Sequence, residues 1–183
     1  MPVVGLFENV GSPQFPPIDQ ETAAMRHVLW FLIVLVVIAL VGGLAYGCYR
    51  TLLSEGSPKQ DAFLKGTFPS PLPVGLLKGS VDGLQVSWKG KKLNADTQTG
   101  INIFAGEAGE EERYPFKTYQ AKGLRDPEVN VLRIDYELPG NPFWLRRITD
   151  EIVEVENGKY LGKVHLRILP GYPFTMGYFR LEQ

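Results

Sequence analysis

Few residues in this chain have the type and spacing to do chemistry. His165 lies on the return strand of a hairpin centred on Asn157-Gly158, and a two-residue turn there sets it opposite Asp150. Such a pair resembles a base and its orienting carboxylate, although a cross-strand ion pair on a solvated face accounts for it more simply. Asp150 and Glu151 are neighbours, so on a regular strand they point to opposite faces and share no proton. Glu151 falls on the otherwise apolar face, where it could enter a ligand pocket or pair with Arg146 or Arg147. The basic stretch Trp88-Lys89-Gly90-Lys91-Lys92 lacks the strand–loop–helix spacing of a phosphate loop. It reads as a solvated turn, or as one that meets anionic lipid headgroups. The single cysteine, Cys48, sits in an apolar run and the two histidines lie far apart, so neither a disulfide framework nor a metal cluster is expected. With no catalytic set, the chain is expected not to be an enzyme. A net charge of −1 carries no nucleic-acid footprint.

Whatever these residues do, the chain around them is organised by one run. Val28 to Tyr49 carries no formal charge, with Arg26 and His27 before it and Arg50 after it. As a helix this run rises roughly 33 Å, enough to cross the hydrocarbon core of a bilayer. A transmembrane helix is therefore expected over 26–50, with Trp30 at one interface and Tyr46 and Tyr49 at the other. The length of the run and the tail before it argue against a cleaved signal peptide. Ala45-Tyr46-Gly47-Cys48 loosely resembles a lipoprotein cleavage site, with Tyr46 a poor fit. Ala39, Gly43 and Gly47 repeat at intervals of four and offer a stripe against which a partner helix could pack. His27 could ligate a haem or chlorin pigment at the membrane edge, or simply flank the span; no other cofactor is suggested. Arg50, Lys59 and Lys65 after the span outweigh Arg26 before it. That bias puts the C-terminal part in the cytoplasm and the N-terminus outside, as in a single-pass protein of a bacterial inner membrane.

Residues 1–25 form an extended tail punctuated by proline and glycine, whose Phe7 and Phe15 could anchor on a neighbouring subunit. Residues 51–75 read as a helical continuation and a linker, with Phe68 to Pro73 a stiff spacer. Residues 76–183 read as a β-rich domain. Strands are expected over 84–88, 101–104, 114–121, 129–138, 149–156, 159–168 and 173–181, joined by turns such as Pro139-Gly140-Asn141-Pro142. In the 129–138 strand Leu132, Ile134 and Tyr136 share one face, while Arg133, Asp135 and Glu137 share the other. The Asn157-Gly158 turn is expected to be type I′, pairing Val155 with Tyr160 and Val153 with Gly162. Consecutive hairpins imply an antiparallel meander closed, or half closed, into a small barrel. Phe143 and Trp144, beside Arg146 and Arg147, are either interface anchors or a barrel-closing plug.

A meander with Trp88 in an early strand and Arg180 in the last resembles the lipocalin and calycin group, in which such a pair packs under one end of the barrel. The group's Gly-x-Trp is not reproduced here. The resemblance implies an apolar ligand in an interior that Trp88, Tyr136 and Tyr160 would either line or fill. The layout of outside N-terminus, single span and cytoplasmic β-domain is similar to that of the H subunit of bacterial photosynthetic reaction centres. Two functions are thus expected. The first is a non-catalytic accessory subunit of a membrane complex, such as a photosynthetic or respiratory one, touching other membrane-protein subunits and lipid. The second is a tethered lipocalin-like barrel that binds or delivers a lipid, pigment or other apolar small molecule.

Overall fold

The computed structural model describes residues 20–82 and 84–183. The chain divides into two compact units, Met1–Gly42 and Gly43–Gln183, taken here in turn. Phe7 and Phe15 lie outside the described residues.

The first unit is described from Gln20 onward, as helix α1, whose full extent is Gln20–Glu55. It is the one described helix long and apolar enough to cross a membrane, and it lies near the N-terminus. Its apolar side chains from Val28 to Val41 are exposed. A helix that is apolar all round and unburied in its own chain has the character of a membrane span. Trp30, His27 and Ala39 are among its exposed residues.

The second unit begins with the last turns of α1, followed after Gly56-Ser57 by α2, Pro58–Lys65. Proline suits the first turn of a helix, where its missing N–H costs nothing. The expected linker is not a free spacer. The Gly47 backbone meets the Phe174 ring so closely that a Cβ there would lie 2.8 Å from it. Thr51 Oγ1 donates to Gly47 O at 2.8 Å and accepts from Thr175 N at 2.9 Å. Thr67 bridges Glu154 by two backbone hydrogen bonds, and Phe68 and Leu72 pack against the interior core. Burial of those apolar side chains, worth about 1.5–3 kcal/mol for a full-sized one, outweighs the stiffness of the proline stretch.

The remainder is a closed barrel of eight antiparallel strands in sequence order, compatible with lipocalin-like architecture. The strands are β1 (Gly75–Ser80), β2 (Trp88–Asn94), β3 (Thr99–Gly106), β4 (Gly109–Lys122), β5 (Asn130–Asp135), β6 (Ile148–Glu156), β7 (Lys159–Leu169) and β8 (Tyr172–Glu182). Closure comes from β1 against β8, with Lys78 opposite Glu182. Two apolar clusters hold the wall. Leu77, Phe116, Ile134, Ile152 and Leu181 belong to the interior one. Phe63 of α2, with Val131, Val153, Leu161 and Tyr178, forms the other, on the outer face.

Several expected elements move. Leu84 and Val86 are exposed and precede β2, so 84–88 is not a half-buried strand. The expected turn at Lys89–Lys92 is instead the body of β2, and the acidic stretch 106–113 is strand except for a tight turn at Glu107-Ala108. The 157–158 turn is where expected, yet only Gly158 takes a positive φ, +72°. It is therefore not type I′, which needs two such residues. One extra residue enters β6 between Glu154 and Glu156, and Val153 pairs with Leu161, Ile152 with Gly162. A one-residue slip sends every side chain beyond it to the other face.

Candidate functional site

Three such irregularities build the inside of the barrel. The extra residue at Val155 turns Asp150 inward, opposite Val164, and leaves Glu151 and His165 on the outer face. A shift between Trp88 and Gly90 lets both Trp88 and Lys91 face inward. Gly90 makes that possible: its φ is +142°, and a Cβ would lie 1.9 Å from Leu77 O, so no side chain fits. A third shift, between Ile101 and Asn102, coincides with Tyr114 at φ +61° in β4. There the Tyr114 carbonyl accepts from Asn102 Nδ2 at 3.1 Å. Bulges re-aim side chains in this way beside functional sites.

The four polar side chains so gathered form one network on the cavity floor. Lys91 Nζ lies 2.9 Å from Asp150 Oδ2 and 2.9 Å from Asn102 Oδ1, and it donates a third hydrogen bond to Tyr136 Oη. Tyr136 Oη donates to Asp150 Oδ2 at 2.9 Å and accepts from Asn102 Nδ2 at 3.3 Å. The Trp88 indole donates to Asn102 Oδ1 at 3.1 Å. Lys91 and Asp150 are only 2% and 4% exposed. Around the ammonium stand the rings of Trp88, Phe116, Tyr136 and Phe179, with centroids 5.1–5.4 Å away. Burial pushes the Lys91 ammonium below its ordinary value, while the Asp150 charge and hydrogen bond pull it back up. Burial likewise pushes the Tyr136 phenol well up, helped by the charge on Asp150.

Above this floor the barrel is open. A cavity of about 1270 Å³ is lined by Trp88, Tyr114, Tyr136, Leu145, Val164 and Phe179 among others. Arg50, Lys59, Asp82 and Arg180 also line it, with Asp82 paired to Lys59 at 3.0 Å and to Arg180 at 3.3 Å. Trp88 and Tyr136 thus line a space and do not fill it; Tyr160 is buried in the interior core and is not part of the lining.

The other residues singled out in the sequence fall as follows. Trp88 packs edge-on against Phe179 at 5.5 Å, and Arg180 points to Asp82, so the lipocalin-type Trp–Arg pair does not form. His165 and Asp150 do not meet. His165 is fully buried, with Nε2 3.1 Å from Glu151 Oε2 and Nδ1 3.4 Å from Thr175 Oγ1. Glu151 is satisfied by Leu124 N at 2.8 Å and Arg133 at 3.0 Å, not by Arg146 or Arg147. Gly47 finds Phe174 of its own chain, whereas Gly43 has open space around it. Tyr46 and Tyr49 are exposed. Trp144 lines the cavity and stacks edge-on with Tyr114 at 6.1 Å, while Phe143 beside it is 81% exposed.

Lys91 and Asn102 are the site residues the sequence alone did not offer. A lysine flanked by lysines and a glycine carries the mark of a turn, and only the bulge gives it another role. No protein-family model matches the chain, and neither curated proteins nor solved structures give a match.

Proposed function

We propose that this protein is a membrane-anchored barrel that holds an apolar small molecule in its interior. The observation that carries the reading is the 1270 Å³ cavity walled by aromatic and aliphatic side chains, with a few converging polar groups at its floor. An eight-stranded barrel is wide enough to hold one small ligand. On this reading the apolar helix serves as anchor, and the excess of Lys and Arg after it favours a barrel on the cytoplasmic side of a bacterial inner membrane. Arg50, which ends the apolar run, lines the cavity.

The accessory-subunit reading keeps one supporting observation, the exposed Phe143 next to half-exposed Trp144. Its helix stripe is weakened, because Gly47 is already occupied by Phe174. Native mass spectrometry of the full chain released from nanodiscs separates the two. The binding reading expects one apolar molecule on the wild type and a smaller loaded share on Val164→Trp, whose larger side chain narrows the cavity. Bare chains in both cases, or a co-purifying protein with no small molecule, would defeat it.

A further inference from the structure

The floor of the cavity has an unusual balance of hydrogen bonds, and counting it names a class of guest. The Lys91 ammonium is committed: it donates to Asn102 Oδ1 and Tyr136 Oη and forms a 2.9 Å ion pair with Asp150 Oδ2. Both Asn102 amide protons are committed, to the Tyr114 carbonyl and Tyr136 Oη. The Tyr136 hydroxyl proton goes to Asp150 Oδ2 and the Trp88 indole proton to Asn102 Oδ1. No donor in the network is left over.

Acceptors are different. Asp150 Oδ2 takes bonds from both Lys91 and Tyr136, while Oδ1 has no hydrogen-bond partner among the described residues. Nor is Oδ1 among the buried polar atoms cut off from solvent without a partner, and Asp150 lines the cavity. One carboxylate lone-pair site therefore faces the space a guest would occupy.

Resting on the apolar-guest reading above, we infer that the guest is a neutral apolar alcohol whose hydroxyl donates to Asp150 Oδ1. At the floor, away from the Arg50, Lys59 and Arg180 side chains, the alternatives fail on charge or on hydrogen bonding. A carboxylate would bring a second negative charge beside Asp150 and find no free donor. A ketone or ester needs a donor that the floor does not have. An ammonium would meet Lys91, which already neutralises the floor one for one. A hydroxyl supplies one proton and no charge, and leaves every existing bond in place. Unpaired charge in a low-dielectric site is what the floor penalises most.

The test is a competition. Full-length protein in detergent is loaded with equal amounts of dodecanol and dodecanoate at mildly alkaline pH, washed, extracted and analysed by gas chromatography. Protein-free micelles, treated identically, measure what the detergent alone retains. The wild type is expected to hold the alcohol over the acid by at least about tenfold above that background. Asp150→Asn keeps an oxygen for Lys91 and Tyr136, puts an amide donor where Oδ1 stood and leaves the Lys91 charge uncompensated, so that variant is expected to shift toward the acid. Equal retention, or a preference for the acid in the wild type, overturns the alcohol assignment but leaves the barrel a binder. Retention of neither above the protein-free background overturns both.

Discussion

Two lysine–aspartate pairs are buried in this domain, one inside the barrel wall and one outside it. Outside, Lys163 Nζ sits 2.6 Å from Asp126 Oδ2 and 2.7 Å from Gln60 Oε1. Gln60 Nε2 returns to Asp126 Oδ1 at 2.7 Å, and Tyr178 Oη donates to Gln60 Oε1 at 2.5 Å. Rings flank that ammonium as well, Phe63 at 5.1 Å and Tyr178 at 5.9 Å. The chemistry matches that of Lys91 and Asp150 in nearly every respect. The difference lies in the second carboxylate oxygen: Asp126 has both oxygens bonded under α2, and Asp150 has one left facing open space. A closed pair fastens α2 to the wall. An open pair offers an acceptor to the cavity.

Removing one partner of a fully closed buried pair is expected to have the largest effect. Asp126→Leu should cost about 3–5 kcal/mol of unfolding free energy, since Lys163 is then charged and alone beneath α2. Asp150→Leu should cost distinctly less, because water in the cavity can reach the stranded Lys91. Thermal or denaturant unfolding of the full chain ranks the two, and a reversed order would break the comparison. Next comes Gly47→Leu, which drives a side chain into the Phe174 ring and should cost about 1–3 kcal/mol. Gly43→Leu meets nothing within 4 Å and should leave domain stability unchanged.

Much of this molecule can be read in its residues, and the misreadings share one cause. The apolar run, the antiparallel meander and the inward face of Leu132, Ile134 and Tyr136 follow directly from hydrophobicity and alternation. Strand-by-strand alternation fails wherever one residue is inserted, and the site sits where that happens. Asn157-Gly158 marks a hairpin but does not say whether Asn157 also takes a positive φ, and that detail decides whether Asp150 stays beside His165 on the outer face or turns inward. Gly90 amid lysines signals a turn as readily as a bulge. Phe68 and Leu72 lie in a stretch whose prolines signal a spacer, while their side chains are bound for the core. In each case a long-range contact overrides a correct local tendency.

A smaller effect sharpens the comparison through pH. Burial holds the phenols of Tyr136, beside the open pair, and Tyr178, beside the closed one, above the ordinary value of 10.0. Each therefore adds stability that is full below that value and is lost as pH climbs through the raised folded one. Tyrosinate absorbance just above the ordinary value should be the same for wild type, Tyr136→Phe and Tyr178→Phe, since neither phenol ionises until the fold opens. A drop in amplitude for Tyr136→Phe alone would mean that the cavity is wetter than its burial implies. Smallest of all, Phe143→Ser removes an exposed ring and should change stability by no more than about 0.5 kcal/mol.

The central claim, that the barrel interior admits a guest down to its polar floor, is tested most directly by a bromine-tagged long-chain alcohol as a fluorescence quencher. In the Trp30→Phe/Trp144→Phe chain, Trp88 is the sole emitter, and its indole bonds Asn102 within the floor network. Saturable quenching of Trp88, competed away by excess of the same alcohol without bromine, is the expected result. Trp88 emission that stays unquenched, or that falls only linearly as for a probe dissolved in the surrounding lipid, would contradict the account.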